Sequence, residues 1–298
     1  TAHHESRTNR YVALYDISRK TTRSIALSRP HFAVATTRMV QDFAVLLLLR
    51  SNPDVHELRV LHPQNPIARV GGWERATQLP IYLEALREPL NVNERLPRWV
   101  DKLSTLELCL RDFTWTTITP LFSLPALKKL LINNGRETPV THLTDAFASV
   151  APRSSSVEAL DFGTCFVTKS TVGNAISVCK ALYSFKHRGL MQSDNEADHW
   201  RLSRQLFEQR NTLQTFHTCL WHRLGESFTI AKLAPEFAAL SHLGLHYLAI
   251  RDNFLPPNLR SLTLYADTVD APVIMDDLAD VLPILREKAG SDIPITLR

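Results

Sequence analysis

Val157-Glu158-Ala159-Leu160-Asp161-Phe162-Gly163-Thr164-Cys165 carries apolar side chains at its first, fourth and sixth positions, with polar or small residues between them. Successive side chains of a strand point to opposite faces, so Leu160 and Phe162 read as one buried face and Asp161 as the other, solvated one. The same spacing runs along the chain. It recurs at Val55/Leu58/Val60, Leu103/Leu106/Leu108, Leu127/Leu130/Ile132, Leu182/Phe185/His187, Leu213/Phe216/Thr218, Leu240/Leu243/Leu245 and Leu259/Leu262/Leu264. Only the instances ending in His187 and Thr218 close on a residue that is not apolar.

From Leu103 onward the first positions lie 24, 30, 25, 31, 27 and 19 residues apart, and the gap of 48 between Val55 and Leu103 fits two units. Intervals of about 20–29 residues are those of leucine-rich repeats. The segments between the strands carry a different period: Leu143/Ala146/Phe147/Val150 and Val172/Ala175/Ile176/Cys179 follow the i, i+3, i+4, i+7 spacing of a helix. Ser170 is the expected N-cap of the second. Asn195, with Glu196 and Asp198 after it, suits the start of a helix carrying Trp200, Leu206 and Phe207. Val40/Phe43/Ala44/Leu47 and Leu278/Val281/Leu282/Leu285 read as flanking helices, the last kinked or shortened at Pro283. Short strands alternating with helices predict an α/β leucine-rich-repeat solenoid, with a curved parallel sheet on the concave face and helices on the convex face. Cys165 stands where such repeats place an Asn or Cys that serves backbone groups of the turn. The expected division is an N-terminal segment over 1–35 leading into the array and an irregular repeat domain over 36–298, with an insertion at 61–100.

Composition narrows the function. The net charge of +4, from 34 Lys and Arg against 30 Asp and Glu, is scattered without a basic run, which argues against nucleic acid as partner. Four separated cysteines form no Cys-x-x-Cys pair, so neither a zinc ribbon nor a disulfide framework is expected. The longest apolar run, Phe43 to Leu49, falls far short of the roughly 20 residues a membrane-spanning helix needs. The chain opens at Thr1 without methionine or a signal-type apolar core, which reads as a trimmed piece of a longer protein. A cytoplasmic or nuclear protein is expected.

The residues also resemble the fungal F-box and leucine-rich-repeat proteins. The resemblance is carried by Arg23-Ser24-Ile25-Ala26-Leu27, by Arg38 to Leu49, and by Arg50-Ser51-Asn52-Pro53 ahead of Val55-His56-Glu57-Leu58. Further along it is carried by Ser154 to Leu160, Cys179 to Phe185, Asn211 to Phe216 and Pro256-Pro257-Asn258-Leu259-Arg260-Ser261-Leu262-Thr263-Leu264-Tyr265. It implies the substrate-recognition array of a ubiquitin-ligase adaptor, reaching a Skp adaptor only through an F-box upstream of residue 1. The F-box itself is not found in this chain. A repeat scaffold without ligase role and an α/β enzyme are the competing readings.

No catalytic residue, metal site or cofactor is assigned. Glycine-rich phosphate loops, Gly-x-Ser-x-Gly and His-Glu-x-x-His are absent from the sequence. His217-x-Cys219-x-x-His222 lacks a fourth ligand nearby, and Asp276, Asp277 and Asp280 suit a helix start better than a metal. His242 and His246 share the strand-borne setting of His217. What remains is a face for a protein partner, formed by the outward strand positions Glu107, Lys129, Asn133, Asp161, Lys186, His217, His246 and Tyr265, with Cys109 and Thr263 beside them.

Overall fold

The computed structural model describes residues 54–60, 101–109, 112–113, 115–133, 135–137, 147–189, 191–192, 196–218, 234–246, 255–265, 282–283, 286–287 and 293–297. The chain divides into two compact units, Thr1–His56 with Thr77–Lys102 and Glu57–Ala76 with Leu103–Arg298. In the first, Lys102 bonds to the Asp54 carboxylate and holds it below its usual range, by the hydrogen bond and then by its charge. The segment boundary at residue 35, the insertion at 61–100 and the helix at 40–47 lie outside the described residues.

The second unit is built on nine parallel strands: β1 (Glu57–Val60), β2 (Thr105–Cys109), β4 (Lys129–Asn133), β6 (Ala159–Asp161), β8 (Ser184–His187), β10 (Thr215–Thr218), β11 (His242–His246), β12 (Ser261–Tyr265) and β13 (Ile295–Leu297). Each pairs with the one before it, so order in space is order in sequence. The fold is α/β, an open parallel sheet. All eight expected strands are present. The ninth, β13, was not expected, because Asp292 stands where its leading apolar residue would be.

One register line crosses the sheet through Leu58, Leu106, Leu130, Leu160, Phe185, Phe216, Leu243, Leu262 and Ile295. From Leu58 to Leu262 none of these side chains is more than 9% exposed. The leading residues Leu103, Leu127, Val157, Leu182, Leu213, Leu240 and Leu259 are buried with them. Fully burying an aliphatic or aromatic side chain contributes about 1.5–3 kcal/mol, so this line is the main stabilising feature of strands too short to persist alone. Aromatic rings extend it: Trp115 meets Phe162 edge-on at 5.6 Å, Phe162 meets Phe185 at 6.2 Å, and Phe185 stacks on Phe216 at 5.7 Å.

The chain enters six consecutive strands, β4 to β12 of the sheet, in the same way. The carbonyl of Ser104 accepts the N–H groups of both Lys128 and Lys129, and the same two-donor arrangement recurs at Lys128, Glu158, Tyr183, Gln214 and Ser241, each toward the next strand. Beyond the strands the chain forms two short parallel ladders, β3 (Asp112–Phe113) with β5 (Arg136–Glu137) and β7 (Val167–Thr168) with β9 (Met191–Gln192). Neither was legible in the apolar spacing.

Helix α1 (Trp115–Ile118) is a single turn that continues into a 3-10 turn at Thr119–Ser123, and a second 3-10 turn spans Ala234–Glu236. Helices α2 (Lys169–Val178) and α3 (Glu196–Glu208) fall where the sequence period puts them. They pack closely because Gly173 lets α2 approach Leu202 and Arg201 of α3. Two local expectations change. The N-cap of α2 is Thr168, still extended from β7, and Ser170 lies inside the first turn. Of the helix expected over 143–150, the described residues 147–149 form a turn closed by Val150 N–H on the Phe147 carbonyl at 3.0 Å. Residues 282–283 and 286–287 are helical, Pro283 included.

Gln209, 3% exposed just past α3, ties that helix to the connection between α2 and β8. Its side-chain oxygen accepts the Leu182 N–H at 3.0 Å and its amide donates to the Cys179 carbonyl at 3.1 Å. Gln209→Ala strands both buried backbone groups, each worth about 1–3 kcal/mol when left unmade. An expected loss of about 2–4 kcal/mol is readable from the urea midpoint.

Candidate interaction face

The strand alternation that buries the leucine line turns the intervening residues to the opposite face. Arg59, Glu107, Leu131, Asp161, Lys186, His217, Gly244, Thr263 and Thr296 stand in register across it. Beside them runs a parallel line of Glu57, Thr105, Lys129, Ala159, Ser184, Thr215, His242 and Ser261. The sheet therefore brings the predicted outward residues onto one surface. Lys129 is exposed, and Glu107, Asn133, Asp161, Lys186 and His217 are half-buried. His246 is placed by its backbone, opposite Tyr265, and Cys109 likewise, opposite Asn133.

Tyr265 corrects the expectation of an exposed aromatic: it is 8% exposed. The cause is Gly244, which occupies the outward position of β11 between His217 and Thr263. With no side chain there, the His217 ring lies over the glycine and its Nδ1 hydrogen-bonds the Tyr265 hydroxyl at 3.0 Å, two strands away. A Cβ on Gly244 would sit 2.5 Å from that nitrogen. Gly244→Ala is thus expected to displace the ring, and Tyr265→Phe to remove the same bond. In a double-mutant cycle the two effects overlap by about 1 kcal/mol.

Charges on the face are not evenly paired. Around β1 and β2, Arg59 contacts Glu57 at 2.6 Å and Glu107 at 3.5 Å, while Asn133 donates to Glu107 at 3.0 Å. At β6 the Asp161 carboxylate accepts the Gly163 N–H at 2.8 Å. Gly163 takes a left-handed φ of +43°, and its open side holds the Asn133 side chain, whose oxygen a Cβ would meet at 1.9 Å. His242 hydrogen-bonds Ser261 at 2.7 Å.

Chain matches are absent at every level compared. No family model, no curated protein and no solved structure matches this chain.

The buried Cys179 and His187 are held neutral. Burial pushes the Cys179 thiol up to about 12, and its Sγ–H donates to the Ala175 carbonyl at 3.2 Å. Burial likewise lowers the His187 imidazole to about 4, against the opposing pull of its bond to the Cys165 carbonyl and of the Asp161 charge. Cys165 donates to the Ile132 carbonyl at 3.0 Å and accepts the Gly135 N–H at 3.3 Å, serving the turn after β4 as its position in the sequence pattern predicts. Among the described residues no three His, Cys, Asp or Glu side chains converge as metal ligands. Cys219 and His222 lie outside those residues. No helix among them is long and apolar enough to cross a membrane.

Proposed function

We propose that the second unit is a leucine-rich-repeat array that binds another protein along the outward face of its parallel sheet, acting in the cytoplasm or nucleus without catalysis of its own. The observation that carries this reading is the identical entry into successive strands: one carbonyl accepts two N–H groups of the next strand at six consecutive steps. Such regularity is what stacked strand-plus-helix units require, since each must offer its neighbour the same surface. The bonds of Cys165 to the preceding turn support it further. A curved sheet with the outward residues on the concave side and helices on the convex side follows from that architecture. Glu107, Lys129, Asn133, Asp161, Lys186, His217 and His246 are then the contact residues, with Tyr265 fixing His217 from beneath.

The partner is a ubiquitination substrate if the array serves an F-box adaptor. That half of the proposal rests on the family resemblance of residues 20–290. The test is affinity capture from lysate with the full-length protein and with its Lys186→Glu and Arg204→Glu variants, read by mass spectrometry. Recognition by the outward face predicts a partner lost with Lys186→Glu and kept with Arg204→Glu, since Arg204 is an exposed helix residue paired to Glu208 at 3.6 Å. A Skp adaptor and cullin in the same capture support the ligase role. Their absence with the partner present leaves a recognition scaffold.

A further inference from the structure

The two ends of the outward face differ in charge, and the difference specifies a partner chemistry. Resting on the protein-binding reading above, we propose that strands β8 to β12 dock an acidic segment of the partner protein, anchored by Lys186 and Arg188. Among the described residues from Glu57 to Asp161, the carboxylates of the face have partners: Glu57 and Glu107 in Arg59, and Asp161 in the Gly163 N–H, with its charge in register beside Lys186. From Ser184 onward the described outward strand residues are Ser184, Lys186, Thr215, His217, His242, Gly244, Ser261, Thr263 and Tyr265, with no carboxylate among them. Arg188 lies one residue past the end of β8, two residues beyond Lys186, and is exposed. Neither has a carboxylate partner among the described residues, whereas Lys128 closes a pair with Glu158 at 2.5 Å and Arg59 one at 2.6 Å with Glu57.

Arg188 follows β8 with its N–H on the Gly163 carbonyl at 2.6 Å. Its side chain is exposed, and the planar fork of a guanidinium matches a carboxylate in a bidentate pair. Lys186 stands between Asp161 and His217 in register and supplies a second positive charge. Hydroxyls of Ser184, Thr215 and Thr263 add donors suited to an acceptor-rich segment. Complementary charge of this kind fixes orientation and speeds encounter, and it weakens with salt.

The test uses the full chain and a fluorescein-labelled peptide of ten glutamates interspersed with glycine, followed by anisotropy at low salt, with the glutamine counterpart as control. The expected result is binding of the glutamate peptide at least ten-fold tighter than its control. Lys186→Glu/Arg188→Glu should weaken it at least ten-fold with an unchanged circular dichroism spectrum, and Arg204→Glu should leave it unaltered. Equal binding of both peptides, no binding of either, or indifference to the double reversal would overturn the inference. Photo-crosslinking from Thr263 in lysate, run in parallel, separates the two levels. A crosslinked protein partner beside a failed glutamate peptide removes the acidic chemistry alone, and failure of both removes the interaction face as well.

Discussion

Phe185→Ala is expected to lower stability by about 3–5 kcal/mol, the range for deleting a buried aromatic ring from a core that cannot collapse around the gap. Phe185 is 1% exposed and lies between the rings of Phe162 and Phe216, so its loss breaks two aromatic contacts and interrupts the buried line at the middle strand of nine. The neighbouring Lys186→Ala faces the other way and should change stability by no more than about 0.5 kcal/mol. Urea titrations of the two variants check the contrast. Equal effects would mean that the sheet does not bury the face assigned to it.

Acidification is expected to remove about 3 kcal/mol between neutral pH and pH 4, through one side chain. His187 occupies the line that holds Leu108, Ile132, Leu245 and Leu264 in other strands, and it is fully buried. Its folded-state pKa of about 4 lies below the ordinary value of 6.5. Between those values the unfolded chain binds a proton that the folded chain excludes. The stability is thus complete above about pH 6.5 and is lost as pH falls toward 4, at about 1.4 kcal/mol per unit. His187→Leu should flatten this part of the profile while other carboxylates and histidines keep their own contributions. At neutral pH the variant loses the bond between the imidazole Nε2 and the Cys165 carbonyl at 3.0 Å, a cost of about 1–3 kcal/mol that the fit of leucine offsets in part. Leucine suits the line, and the change removes an imidazole nitrogen, Nδ1, that has no hydrogen-bond partner among the described residues, as Thr218 Oγ1 has none beside it. A variant whose acid sensitivity matches the parent would place the titration elsewhere.

The apolar spacing made the eight main strands legible because each buries one face, and burial leaves a trace in residue type. Helices α2 and α3 were legible for the same reason. β13 escaped because it is an edge strand with Leu297 half exposed, so little burial constrains the residues ahead of it. The short ladders β3–β5 and β7–β9 span two residues each, too few for any period to register. Thr168, two residues ahead of the expected Ser170, caps α2. The hydroxyl-rich run Thr168, Ser170, Thr171 does not distinguish them, and the extended backbone at Thr168 does.

On the face, alternation identified which residues point outward but not how they meet. The burial of Tyr265 depends on a glycine in the neighbouring strand and a histidine beyond it, a relation across 48 residues of sequence. Gly244 in the middle of an otherwise regular strand was the available signal, since a strand glycine often marks a close approach. The role of Gln209 had no signal, because a lone glutamine after a helix is ordinarily solvated.

The most direct test of the account is site-specific photo-crosslinking with a benzophenone amino acid at Lys129, Lys186 and Thr263 on the outward face, and at Arg204 and Glu208 on α3, in the full-length protein in lysate. The account predicts one partner band shared by the three sheet positions and missing from both helix positions. The same band at Arg204 and Glu208, with none at the sheet positions, would contradict it.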